Sequence, residues 1–244
     1  MNLVIDIGNS RIKWASTENS RLHGPGAVYY PGRPLAEVFT GAWGALEPPS
    51  RVVCTCVAGG QIGASLADWL RARYGVSMEF VSAQAEGFGV RNGYREPDRL
   101  GADRWAALIG ARRREPRAVC VVDCGTAITI DALADDGRHL GGLIAPGVMT
   151  MRRALYEAAA GIVDEGEGEL TPLAADTRSG VSAGTLYAAA AFIDRGCAEI
   201  EQAAGHAMSR LLTGGGADVL RPLLKGTYAP VPDLVLEGLA VIAA

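Results

Sequence analysis

The stretch "LVIDIGNSRIKW", residues 3–14, decides how the rest of the chain is read. Leu3, Val4 and Ile5 form the apolar run of a buried strand, and Arg11–Ser16 alternates as a second strand. The pattern predicts strand–turn–strand, paired through Gly8, Asn9 and Ser10. A core strand has no use for the acid at its end, Asp6, and a plain turn has none for Lys13 beyond it. An anion site uses both. Glycine lets backbone N–H groups approach a phosphate with no Cβ in the way, and Asn9 and Ser10 add donors. Lys13 adds positive charge, and Asp6 can hold Mg²⁺ or its water shell.

A lone D-x-G turn is more often structural than functional. Here a second copy exists. "VVDCGTAITID", residues 121–131, again leads two valines into an acid, Asp123, then Gly125 and a small polar residue, Thr126, before an apolar strand. The repeat predicts an internal duplication in which two turns of this kind clamp a triphosphate. Asp123 is then placed to hold a second cation. Neither turn matches the P-loop or the Rossmann fingerprint.

Between the copies lies "GYREPDRLGADRWAALIGARRR", residues 93–114. Gly101 and Ala102 open a helix, and Asp103 falls in its first turn, where the helix dipole favours the ionised carboxylate. Beside a phosphate site, such a carboxylate can accept the proton of an attacking hydroxyl. Arg104 can hold an anionic acceptor by charge-assisted hydrogen bonds, and Tyr94 can cover it.

The remaining periodicities alternate between strands and helices, an α/β pattern. Helices are expected at 34–46, 61–74, 102–114, from Gly147 to about 160, from about 178 to 204, and at 234–242. Residues 161–176, acidic and glycine-rich, read as a mobile surface loop. On the long helix, Leu186, Ala190, Ile193 and Cys197 read as a core stripe. The boundary between halves falls near residues 115–118, giving 1–116 and 117–244.

Composition narrows the function classes. Of 244 residues, 49 % are hydrophobic and 20 % charged, enough for a substantial core. The net charge of −4 and the lack of a basic run beyond Arg112–Arg114 disfavour nucleic acid. No apolar run reaches membrane-spanning length, so a cytoplasmic protein is expected. Five cysteines, an odd number in apolar segments, read as buried thiols of a reducing compartment. His23, His139 and His206 stand alone and read as surface or satisfied histidines.

Taken in order, Asp6-x-Gly8-Asn9-Ser10-x-x-Lys13, Gly101-x-Asp103-Arg104, Asp123-x-Gly125-Thr126 and Gly141-Gly142-x-Ile144-x-Pro146-Gly147 resemble type III pantothenate kinases, from residue 3 to the "TGGGA" at 213–217. The resemblance implies an α/β fold of two ribonuclease H-like, actin-like ATPase subdomains related by duplication. It implies transfer of the ATP γ-phosphoryl group to the primary hydroxyl of pantothenate, the first step of coenzyme A biosynthesis. It also implies a homodimer that needs Mg²⁺ and a monovalent cation, K⁺ or NH₄⁺.

Carried over by position, Asp6, Ile7, Gly8, Asn9, Ser10, Arg11, Ile12 and Lys13 would form the first ATP turn, and Thr126 would contact ATP. Asp103 would be the general base. Tyr94, Gly101, Ala102, Asp103, Arg104 and Thr177 would line the pantothenate site, and Asp123 would bind the monovalent cation. Asp6 would reach Mg²⁺ through water. Ser10 stands where the family usually has threonine and keeps the hydroxyl. Asp176 stands where asparagine is usual. The alternatives are a non-catalytic regulatory accessory protein, as some relatives of this family were first described, and a superfamily kinase acting on another small alcohol or acid.

Overall fold

Alternation near the N-terminus becomes an antiparallel hairpin, and the rest of each half is built around one. In the computed structural model, which describes residues 1–244, the elements run β1 (Asn2–Ile7), β2 (Arg11–Glu18), β3 (Arg21–Tyr29), α1 (Leu35–Trp43), β4 (Arg51–Cys56), α2 (Gly60–Tyr74), β5 (Met78–Phe80), β6 (Glu86–Gly87), β7 (Val90–Arg91) and α3 (Ala102–Arg114). They continue β8 (Val119–Cys124), β9 (Ala127–Leu133), β10 (His139–Pro146), α4 (Val148–Ala158), α5 (Thr177–Ala204), β11 (Ser209–Thr213), α6 (Ala217–Leu220), β12 (Ala229–Pro230) and α7 (Leu234–Ile242).

Two five-stranded sheets repeat one order, β3-β2-β1-β4-β5 and β10-β9-β8-β11-β12. In the first, β1 runs antiparallel to β2 and parallel to β4, which runs parallel to β5. The parallel steps need crossovers, and α1 and α2 supply them. In the second, β8 runs parallel to β11, and β11 to β12. These are the two ribonuclease H-like halves of the actin-like ATPase fold.

The compact units are not two uninterrupted stretches. One comprises Met1–Pro116, Leu133–Leu140 and Asp233–Ala244; the other comprises Arg117–Ala132 and Gly141–Pro232. Specific contacts within the first unit bring the later segments back to it. Arg91 donates its backbone N–H to Gly137 at 2.9 Å and pairs with Asp136 at 2.6 Å, and Arg112 donates to the Asp135 carbonyl at 2.7 Å. Helix α7 crosses α3 so closely that a Cβ at Gly238 would overlap the Ala106 backbone. Arg114, at the end of α3, is held by both carboxylate oxygens of Glu237.

Each unit has its own core. Leu3, Ile5, Val52 and Cys54 of the first sheet pack with Phe39, Trp43, Leu66 and Leu70. Val122, Ile128 and Ile130 of the second pack with Leu186, Ile193 and Cys197 of α5, so the expected stripe on that helix is core. Ala190, its fourth member, is also buried.

The acidic segment is a surface loop with local anchors. It carries no regular structure and is mostly exposed, as expected, while residues 167–169 are tied to α4 and α5. The buried Arg152 bonds Glu167 at 2.6 Å and Thr185 at 3.1 Å. The backbone N–H groups of Gly168 and Glu169 donate to Ser182 Oγ at 2.8 Å and Ser179 Oγ at 3.1 Å. A Cβ at residue 168 would meet the α5 backbone, so glycine is needed for this approach. The segment is exposed, as its charge and glycine content suggest, and side chains distant in sequence anchor residues 167–169.

Candidate active site

In the first unit the site grows from strand register. Asp6 pairs with Lys13 on β2 and with Thr55 on β4. Paired residues on adjacent strands point to the same face, so the three polar side chains form a row across the sheet. Thr55 is fully buried and donates its hydroxyl to Asp6 Oδ1 at 2.8 Å. Burial raises the Asp6 carboxyl from its usual 3.8 to about 6; the Thr55 bond opposes this, the charge of Asp103 adds to it, and Lys13 opposes it. Asp103, on the first turn of α3, lies near enough for its charge to act on Asp6.

The turn after β1 closes through a Gly8 N–H to Arg11 carbonyl bond of 3.0 Å. Ile7 and Ile12, on either side of it, are wholly buried, which leaves their backbone as the only part able to meet a ligand. Asn9, Ser10 and Lys13 retain exposure.

Asp103 sits in the first turn of α3 and accepts the Arg104 N–H at 2.8 Å. Gly101 precedes the helix, and a Cβ there would lie 2.6 Å from Asp103 Oδ1 and shift that carboxylate. Arg104, though only 8 % exposed, is charged, and its Nη1 donates to Tyr94 Oη at 2.7 Å. The guanidinium also lies over the Tyr94 ring, 5.4 Å from its centre. Behind Tyr94, His139 stacks at 5.8 Å and 19°. Asn92 secures the loop by accepting the Tyr94 N–H at 3.0 Å and donating to the carbonyls of Gln84 and Pro97.

The second unit builds its turn from different parts. The Gly125 N–H donates to the Ala127 carbonyl at 3.0 Å. The Thr126 carbonyl accepts from Gly147 N–H at 2.9 Å and from Thr150 Oγ1 at 2.7 Å. A Cβ at Gly147 would overlap the Gly125 carbonyl, and one at Gly214, whose φ is +92°, would overlap Asp123 Oδ1. Asp123 therefore rests against the loop that follows β11. Burial, with the Asp123 charge adding, pushes the neighbouring Cys124 thiol up to about 12, so it stays protonated.

Thr177 is the first residue of α5 and is exposed. Asp176 caps that helix by accepting the Ser179 N–H at 2.8 Å. Aspartate and asparagine cap equally well, which gives the departure at 176 a structural reason.

A sequence profile described as Type III pantothenate kinase matches residues 2–199. The chain belongs to the type III pantothenate kinase family. Among similar type III pantothenate kinases, that of Nitrosococcus oceani (strain ATCC 19707) is 41 % identical over 249 residues, covering 100 % of this chain and 94 % of the relative. That of Azoarcus sp. (strain BH72) is 39 % identical over 246 residues, covering 100 % and 91 %. Solved structures at lower identity share the fold. The PilM–PilN type IV pilus biogenesis complex matches with a TM-score of 0.57 at 15 % identity, over 99 % of this chain and 98 % of that one. The ethanolamine utilization protein EutJ from Carboxydothermus hydrogenoformans gives 0.56 at 13 %, over 98 % and 88 %.

Within the first unit of this type III pantothenate kinase family member, structure gathers Asp6, Lys13, Asp103, Arg104 and Tyr94. Within the second it gathers Asp123, Thr126 and the glycines of residues 147 and 214. Sequence reasoning passed over Thr55, Tyr30, Asn92, Thr150 and the stacking role of His139. Thr55 left a signal, a polar residue inside the apolar strand "VVCTCV". Tyr30, Thr150 and His139 left none, because their partners lie far along the chain.

Proposed function

We propose that this chain phosphorylates the primary hydroxyl of pantothenate with ATP through the residues just described, in the cytoplasm and as a homodimer. As a type III pantothenate kinase the chain is an ATP-dependent phosphotransferase of coenzyme A biosynthesis. The observation that carries the assignment of roles is the row Lys13–Asp6–Thr55 with the Asp103 carboxylate beside it.

In this reading, the backbone and side chains of residues 6–13 hold the ATP phosphates, and Thr126 contacts the nucleotide. Asp103 accepts the proton of the pantothenate hydroxyl. Arg104 binds the pantothenate carboxylate, with Tyr94, Gly101 and Ala102 beside it, and Thr177 is a further pantothenate contact. Phosphoryl transfer passes through a loose transition state, so positioning and charge dominate over deprotonation. Arg104 is already held by Tyr94 before substrate arrives, which lowers the ordering cost of gripping a carboxylate.

The donor set fits a divalent cation. Asp6 offers a hard carboxylate, and no three His, Cys, Asp or Glu side chains gather into a protein cage. Asp6 is the residue that would hold Mg²⁺, through the ion's water shell. When bound, the ion neutralises phosphate charge during transfer. The Asp123 carboxylate offers a hard oxygen that would suit a monovalent ion, K⁺ or NH₄⁺.

Two further observations support the cellular setting and assembly. All five cysteines are unpaired, in keeping with a reducing compartment, and no helix is long and apolar enough to cross a membrane. On the second unit, Leu143 and Ile144 of β10, Met149 and Leu155 of α4 and Tyr187 of α5 are exposed apolar groups that a second copy would cover. The test is a phosphotransfer assay with pantothenate against sugars and short acids, with and without K⁺ or NH₄⁺, beside sedimentation equilibrium. Pantothenate is expected to be the only good acceptor, with turnover dependent on the monovalent ion and a dimeric mass. Preference for another acceptor would overturn the substrate, and a monomeric mass would overturn the assembly.

A further inference from the structure

Tyr30 stands just past the end of β3, and the reaction described above gives it no task. Its phenolic Oη lies 2.9 Å from the Gly8 carbonyl oxygen and 2.9 Å from that of Asn9. Its backbone N–H reaches the Ser10 carbonyl at 3.4 Å. Three successive carbonyls of the first turn therefore face one residue.

A trans peptide is planar, with its C=O and the N–H of the next residue pointing in opposite directions. Holding the carbonyls of Gly8 and Asn9 toward Tyr30 turns the N–H groups of Asn9 and Ser10 to the other side. Successive N–H groups aimed one way make a concavity for an anion. Tyr30 also keeps the proton it donates, because burial, with Cys56 adding, raises its phenol above the usual 10.0.

We propose that Tyr30 is a positioning residue for the phosphoryl donor: its hydroxyl fixes the Gly8 and Asn9 carbonyls and so aims the N–H groups of Asn9 and Ser10 at the nucleotide phosphates. This rests on residues 6–13 being the phosphate turn. Tyr30 acts through the backbone and touches no reacting atom.

Tyr30→Phe keeps the ring and removes only the hydroxyl. The ATP dissociation constant by calorimetry and the KM for ATP are expected to rise about fivefold, the effect of losing one net hydrogen bond. The pantothenate KM and kcat should move less than about twofold, and the unfolding temperature by no more than about 4 °C. Lys13→Ala runs beside it. If Lys13→Ala weakens ATP and Tyr30→Phe does not, the role of Tyr30 is overturned and the phosphate turn stands. If neither weakens ATP, both fall. If Tyr30→Phe raises both KM values alike, the hydroxyl merely stiffens the unit, and the positioning role is overturned.

Discussion

The two glycine turns share a sequence pattern and a strand order, yet they are held in different ways. At Gly8–Ser10 the carbonyls are held by a tyrosine hydroxyl from the neighbouring strand's end, and the acid before them is bonded to Thr55. At Gly125–Thr126 the carbonyl is held by the start of α4, through Gly147 and Thr150, and the acid rests on Gly214. In both, carbonyls are fixed to one side, which sends N–H groups to the other. Duplication has kept the geometry and changed the parts that enforce it. Only the first turn is followed by a lysine and accompanied by a second carboxylate, which is why the proposed phosphoryl transfer is placed in that half.

The sharpest way to break this asymmetry is to remove one acid from each half. Asp103→Asn should lower kcat by roughly 10²–10⁴-fold, the usual worth of a general base, with ATP affinity kept in calorimetry. Asp123→Asn should instead abolish the response to K⁺ or NH₄⁺ in the same assay. Equal losses of kcat at saturating salt would erase the distinction between the halves.

Gly147→Ala attacks the second turn alone. Its Cβ would drive into the Gly125 and Thr126 carbonyls, which are backbone and cannot swing aside. An overpacking cost of about 1–3 kcal/mol is expected, read by denaturant unfolding, together with weaker ATP binding. Unchanged stability would mean that the second turn yields where the first does not.

The acids also differ with pH. Asp6 binds its proton more tightly folded, near pH 6, than unfolded, near 3.8. Between those values the native state holds more protons, so stability falls as pH rises through the window, and the cost is complete above it. Asp6→Asn should therefore unfold at a higher temperature than the parent at pH 7.5, with the advantage gone near pH 4. In the parent enzyme, kcat/KM for ATP should fall as pH drops through about 6, when Asp6 loses its charge.

The smallest effect sharpens the comparison most. Thr150→Ala removes one of two donors to the Thr126 carbonyl, and Gly147 N–H remains. The ATP KM should rise by about twofold or less, below that of Tyr30→Phe, where no other donor takes over the Gly8 carbonyl.

Much of the site was legible in the chain. Asp6, Lys13 and Asp103 betray themselves because each is a charged residue at the end of an apolar run or in a helix's first turn, where the core gives no reason for it. The duplication was visible for the same cause, a local pattern stated twice. The contacts that hold residues 167–169 of the acidic loop were not legible, because Arg152, Ser179 and Ser182 are ordinary residues until folding brings them to it.

By itself the sequence determined the α/β class, the two glycine turns and the helix that carries Asp103 in its first turn, all of which follow from neighbours within a few residues. Tertiary structure alone decided that residues 133–140 and 233–244 join the first unit, that Thr55 raises its hydroxyl to Asp6, and that Tyr30 and His139 stand behind the turn and the arginine. The physical reason is range: strand period and helix caps are written in adjacent residues, whereas hydrogen bonds between residues tens of positions apart exist only once packing has chosen the register.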